Sequence, residues 1–167
     1  DVSTIPVGVP VRSAAVNTAG TQAVIGDRSG AVTVWDLKAE APVPGMSYQQ
    51  DGVINGVAFS PDDLAVASVG TDSSVWVWDI PNRRKRFTLT GHAGPVYGVS
   101  FSRDGQTLAT ASWDHSVILW DMNTGALKKR IEAHDEGVWD VEFCHECKVL
   151  ATAGQDGTAK LWDVETG

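Results

Sequence analysis

Trp-Asp recurs at a nearly constant period in this 167-residue chain, at Trp35-Asp36, Trp78-Asp79, Trp120-Asp121 and Trp162-Asp163. The gaps are 43, 42 and 42 residues. Counting back from each Trp, Val11, Ile54, Val96 and Val138 stand 24 residues earlier, and Val16, Phe59, Phe101 and Phe143 stand 19 earlier. No insertion or deletion is needed between those positions and the Trp. Self-similarity at such a period marks a repeat architecture, in which each unit buries its apolar faces against its neighbours.

Within a unit the texture is β throughout. Val96-Tyr97-Gly98-Val99-Ser100-Phe101 alternates, and Ser102-Arg103-Asp104-Gly105 supplies turn chemistry. Leu108–Ser112 is a run of small and apolar residues, Trp113-Asp114-His115-Ser116 turns again, and Val117–Trp120 forms a third strand. A fourth follows over Leu127–Ile131. No stretch carries sustained helical periodicity with caps, so the chain is expected to be all-β.

Composition narrows the classes further. At 43% hydrophobic and 20% charged residues, the chain can bury a core. A net charge of −8 speaks against non-specific nucleic-acid binding. No apolar run approaches the roughly 18 residues of a membrane span, and Asp1–Pro6 lacks a signal-peptide pattern. The expected placement is cytoplasmic, with a nuclear one as the alternative.

With a period of about 42, four strands per unit, Gly91-His92 before a first strand and Trp-Asp after a third, the chain resembles the WD-repeat β-propeller family. The resemblance covers nearly all of the sequence as one segment, residues 1–167, in units of approximately 7–36, 50–79, 92–121 and 134–163. It implies four-stranded antiparallel blades packed face to face around a channel. It also implies that His92, Ser112, Asp114 and Trp120 form a structural hydrogen-bonded network. A Ser-His-Asp hydrolase site is the competing reading of His92, Ser112 and Asp114, but no Gly-x-Ser-x-Gly elbow is present and Ser112 lies within a strand. No catalytic residue is assigned.

The other units depart from the pattern. The fourth keeps His134, Asp156 and Trp162, with Gly154 at the serine position. The second keeps Asp72 and Trp78, with Gln50 and Gly70 at the His and Ser positions. The first has Val7, Asp27 and Ser29 at the three polar positions. The third unit is therefore expected to be the most rigid and the first the least.

Because blades of this family close at about seven or eight, four imply an incomplete ring with two open faces. Residues 1–5 sit where an outer closing strand belongs. The expectation is an eight-bladed ring built from two copies, each exchanging that strand; the rival is an excerpt of a longer propeller.

By the family's geometry two sets of positions converge on the channel mouth. One holds Arg12, Asn55, Tyr97 and Trp139; the other holds Arg28, Thr71, Trp113 and Gln155. Trp, Tyr and Arg dominate binding hot spots. The expected site is an apolar face of Tyr97, Trp113 and Trp139, flanked by Arg12 and Arg28, that binds a protein or peptide. Partly buried aromatics with no partner are the alternative.

Two further motifs are weighed. Arg83-Arg84-Lys85-Arg86 and Lys128-Lys129-Arg130 read as charges guarding outer edges, or as a patch for an acidic partner. Cys144-His145-Glu146-Cys147 lacks the second ligand pair a structural zinc site needs, so reduced thiols are expected, with a labile turn disulfide as the alternative, and no metal and no cofactor. The function expected is a non-catalytic interaction scaffold; the alternative is a regulatory or sensor segment of a larger multidomain protein.

Overall fold

The structure is a computed structural model that describes residues 4, 7–144 and 148–164. Its strands run in chain order into separate antiparallel sheets. The first blade holds β1 (Val11–Val16), β2 (Gln22–Asp27), β3 (Ala31–Asp36) and β4 (Ala41–Gln49). The second holds β5 (Ile54–Phe59), β6 (Ala65–Gly70), β7 (Ser74–Asp79) and β8 (Arg84–Thr90). The third holds β9 (Val96–Phe101), β10 (Thr107–Ser112), β11 (Ser116–Asp121) and β12 (Leu127–Glu132). Three strands of the fourth are described: β13 (Val138–Phe143), β14 (Val149–Gly154) and β15 (Ala159–Asp163). The outer strand expected over residues 1–5 lies, apart from Thr4, outside the described residues. No helix is long and apolar enough to cross a membrane among the described residues.

The sheets stack through the two-residue alternation of strand side chains. Leu108, Ile118 and Trp120 face the second blade and join Val69, Val77 and Val96 in one core. Their neighbours Ala109, Val117 and Leu119 face the fourth blade and join Val138, Val141 and Leu150 in another. A third core lies between the first two blades, around Val24, Val34, Ile54 and Val66. Every residue of β6 and β10 is consequently buried. In β14 buried Leu150 and Thr152 alternate with exposed Ala151 and Ala153, because no described residue covers that face. The first strands approach closely: a Cβ added to Gly98 would stand 2.7 Å from the Val141 amide nitrogen.

Outer strands carry the charged runs, and Lys85, Lys128 and Arg130 among their cations are engaged. Lys85 lies over the Trp76 ring at 3.6 Å, and Lys128 donates to Thr107 at 3.0 Å. Arg130 donates to the Gly91 carbonyl at 3.1 Å and to Asp114 at 3.2 Å. These three therefore pack on their own blades rather than standing as a bare charged edge. Tyr48 on β4 stacks on Trp78 of the next blade, with centroids 4.2 Å apart. Burial pushes the Tyr48 hydroxyl well above the ordinary phenol range, a hydrogen bond to Ser68 opposing it. Cys144, just past β13, is disulfide-bonded, which overturns the expectation of reduced thiols; 145–147 lie outside the described residues.

Candidate functional site

One end of every blade is built by the same irregularity. Where the first strand pairs with the second, the register slips by one residue. In the third blade Val96 opposes Ser112 and Gly98 opposes Ala111, which leaves Tyr97 as the extra residue. The extra residues of the other blades are Arg12, Asn55 and Trp139. A β-bulge of this kind bends the strand and re-aims the side chain it leaves unpaired. No pattern of apolar residues announces it, since a bulge is a property of the pairing.

The second set of positions is fixed at the same end by backbone bonds. The amides of Arg28, Thr71, Trp113 and Gln155 donate to the carbonyls of Pro10, Val53, Pro95 and Gly137, at 3.1, 3.0, 2.9 and 2.8 Å. Each carbonyl belongs to the residue two before the bulged one. The eight positions thus occupy one rim, two per blade.

Their side chains differ in availability. Tyr97, Trp113 and Trp139 come together: Trp113 and Trp139 meet edge to face at 5.0 Å, Tyr97 and Trp139 at 4.9 Å, and Tyr97 and Trp113 tilt at 6.2 Å. Edge-to-face packing suits the ring quadrupoles. The trio spans two blades and still leaves Trp113 40% and Trp139 42% exposed. Gly137 makes room for it, because a Cβ there would meet Trp113 Cε3 at 2.7 Å. Arg12, Arg28 and Gln155 are exposed. Asn55 is already committed, its amide donating to Val96 O at 3.0 Å, and Thr71 Oγ1 accepts from the Val53 amide at 3.0 Å.

Beneath this rim lies a buried polar chain. Trp120 Nε1 donates to Thr110 Oγ1 at 2.9 Å, and Thr110 Oγ1 meets His92 Nε2 at 2.8 Å. His92 Nδ1 faces Asp114 Oδ2 at 3.1 Å. With the proton on Nδ1, the ring accepts from Thr110 and donates to the carboxylate, so all four groups are satisfied. Ser112 was expected as the hydroxyl member, and the geometry corrects this. Its Oγ donates instead to the carbonyls of Gly94 and Pro95, at 3.0 and 2.9 Å, and accepts from the Asp114 amide at 3.1 Å. Ser112 sits at the bulge and so turns toward the preceding loop, while Thr110 lies two residues deeper, level with the indole. A His92–Ser112 nucleophile pair is not formed.

The correction carries into the other blades. In the fourth, Trp162 Nε1 and His134 Nε2 meet Thr152 Oγ1 at 3.0 and 2.8 Å, and His134 Nδ1 meets Asp156 at 2.9 Å. This network is complete, and Gly154 is no gap in it. In the second, Gln50 replaces the imidazole: its Oε1 accepts from Ser68 at 2.7 Å and its Nε2 donates to Asp72 at 3.0 Å. One amide supplies both the acceptor and the donor that a histidine ring supplies. Among the described residues Trp78 Nε1 has no partner, and neither has Trp35 Nε1 in the first blade, where Ile25 and Val7 replace Thr and His.

The carboxylates feel these bonds. Burial pushes the Asp114 carboxyl up, but hydrogen bonds from His92, Ser116 and the Ala93 amide outweigh it and hold the group far below the usual carboxylate range. Asp156 is lowered in the same way, with burial opposed by Thr158, His134 and backbone amides. Among the described residues no group of three or more His, Cys, Asp or Glu could hold a metal ion.

The family described as WD domain, G-beta repeat matches residues 44–79, 83–121 and 125–163, more than half of the chain. The chain belongs to the WD-repeat family. WD repeat-containing protein 90 of Mus musculus is 31% identical over 89 residues, 53% of this chain and 4% of that protein. APC/C activator protein CDC20 of Saccharomyces cerevisiae is 25% identical over 95 residues, 57% of this chain and 16% of that one. The chain thus spans a small part of these relatives' length. In fold, the WD40 repeats of RRP9 superpose with a TM-score of 0.87 at 19% identity, covering 94% of this chain and 49% of that one. The structure of U3-55K gives 0.86 at 20% identity, with 94% and 50% covered. The blades are those of a WD-repeat β-propeller. The matches to the repeat family begin at residue 44, so they leave out β1–β3, the part of the first blade that lacks the His and Thr of the network. WD-repeat propellers are generally interaction scaffolds without catalysis of their own.

Proposed function

We propose that this chain is a non-catalytic scaffold that captures a protein or peptide on the rim built by the four bulges. The observation that carries the reading is the Tyr97–Trp113–Trp139 trio, drawn from two blades and left two-fifths exposed at both indoles. Large aromatics placed on a rigid rim give contact area at little conformational cost, which is why they concentrate in binding hot spots. The test is an immobilised peptide array probed with the chain and with the double variant Trp113→Ala, Trp139→Ala, its folding checked by far-UV circular dichroism. Array signals should vanish in the folded variant; signals that persist unchanged would refute the reading.

A second element of the proposal concerns self-association. Val11 and Val16 on the first blade are 45% and 61% exposed, and Leu161 on the fourth is 76% exposed. Interior blades bury the equivalent faces. A second copy, with its fourth blade against the first blade here and the reverse, would cover both pairs of faces by a closed twofold arrangement.

A further inference from the structure

The rim is unevenly charged. Positive charge sits on the first blade, where Arg12 and Arg28 are exposed and make no ion pair among the described residues. At the other end of the arc Asp135 and Glu136, also exposed and without an ion pair among those residues, lead directly into Gly137, across which Trp113 lies. Asp51 on the second blade adds a further exposed carboxylate. On the third blade Arg130 bonds to Asp114 and Glu132, and on the fourth Lys160 donates to Ala133 O at 2.8 Å and lies 3.9 Å from Asp156. The aromatic trio therefore stands beside two anions, while among the eight described rim positions the cations are Arg12 and Arg28 on the first blade.

That arrangement selects a ligand. Indole faces attract a cation through the ring quadrupole, and neighbouring carboxylates attract the same charge while repelling an acid. Guanidinium groups on the first blade do the opposite. We propose that the rim takes one extended peptide with opposite charges at its two ends: a Lys or Arg over Trp113 and Trp139 beside Asp135 and Glu136, an uncharged middle, and an acidic residue over Arg12 and Arg28. This rests on the rim being a peptide site and adds the chemistry of its partner. Packed sheets lie about 10 Å apart, so three blade steps separate the two ends by at most about 30 Å, or about nine extended residues.

The test is fluorescence anisotropy on the full chain at low salt, with labelled ten-residue peptides. One carries Arg at one end and two Glu at the other; comparators carry Arg at both ends, Glu at both ends, or Gln at both. The two-ended peptide should bind about tenfold tighter than each comparator, and the margin should shrink as salt is added. Arg12→Glu with Arg28→Glu should move the preference to the peptide with Arg at both ends, a gain that misfolding does not imitate. Asp135→Lys with Glu136→Lys should move it to the peptide with Glu at both ends. Equal affinity for the two-ended and Gln-ended peptides, with binding still lost in the Trp113→Ala, Trp139→Ala variant, overturns this inference and leaves the rim reading intact. Binding that survives the loss of both indoles overturns the rim reading as well. Absence of binding by every peptide at about 1 mM overturns the inference.

Discussion

At the scale of single residues, Thr110 is the pivot of the third blade. Its one hydroxyl accepts from the Trp120 indole and meets the His92 ring, and all three groups are buried. Thr110→Val keeps the shape and removes the oxygen. Two buried groups then lack partners, at about 1–3 kcal/mol each, so the variant should lose about 2–6 kcal/mol. Ser112→Ala should lose only about 0.5–1.5 kcal/mol, because Pro95 O still accepts from the Trp113 amide and the Gly94 carbonyl and Asp114 amide that it releases make part-buried bonds at the turn. Urea unfolding of both variants checks the order, and Ser112→Ala as the costlier change would mean that the wrong hydroxyl has been placed in the network. The family resemblance points to a hydroxyl of the second strand, and Ser112, next to the turn that carries Asp114, is the one it suggests. The sequence hid the answer because strand residues two apart share a face, and both positions offer a hydroxyl. Trp113, Trp139 and Tyr97 were legible as a set from their equivalent offsets. Their edge-to-face contact was not, since it depends on Gly137 clearing the space for a ring from the neighbouring blade.

At the scale of the blade, what was legible was the period, and with it the strands and their alternation. The bulge was not, because one slipped residue leaves the apolar pattern intact on both sides. Nor was the parity of the third and fourth blades: Thr152 completes the fourth network, so the difference between these two is the fourth blade's open face, not a missing bond. Both blades hang on a carboxylate held below its ordinary range. A carboxyl whose folded value is depressed stabilises the fold above its unfolded value of about 4, and that stabilisation is lost as pH falls toward the folded value. The urea midpoint should therefore fall as pH drops below about 4. Asp114→Asn should be less stable than the parent at neutral pH, and the gap should narrow toward pH ~3 as this carboxyl takes up its proton in the unfolded parent while staying ionised in the folded one. A gap that stays constant with pH would show that Asp114 acts through shape rather than charge. Hydrogen exchange resolved by blade should follow the same logic, with the first blade, where Val7 and Ile25 replace the network, opening most readily.

At the scale of the whole molecule, the repeats bury what faces inward along the arc and leave its two ends bare. Leu161 on one end and Val16 on the other are more exposed than any other large apolar residue described. An apolar face of that kind drives association. Opposing it is a net charge of −8 on each chain, which makes two copies repel. The repulsion is long-ranged and screened over roughly 8 Å at physiological ionic strength, whereas apolar contact is not weakened by salt. Association through the open faces should consequently strengthen as salt is raised, the reverse of the behaviour expected for the charged peptide on the rim. Light scattering at micromolar concentration should give twice the mass of one chain at moderate salt, falling to a single chain for Leu161→Glu. The substitution places a charge where the first blade of the second copy would pack, and it leaves the interior cores untouched. A single-chain mass for the parent at every salt concentration would exclude the two-copy ring while leaving the rim, on the channel end of the blades, free to bind its partner.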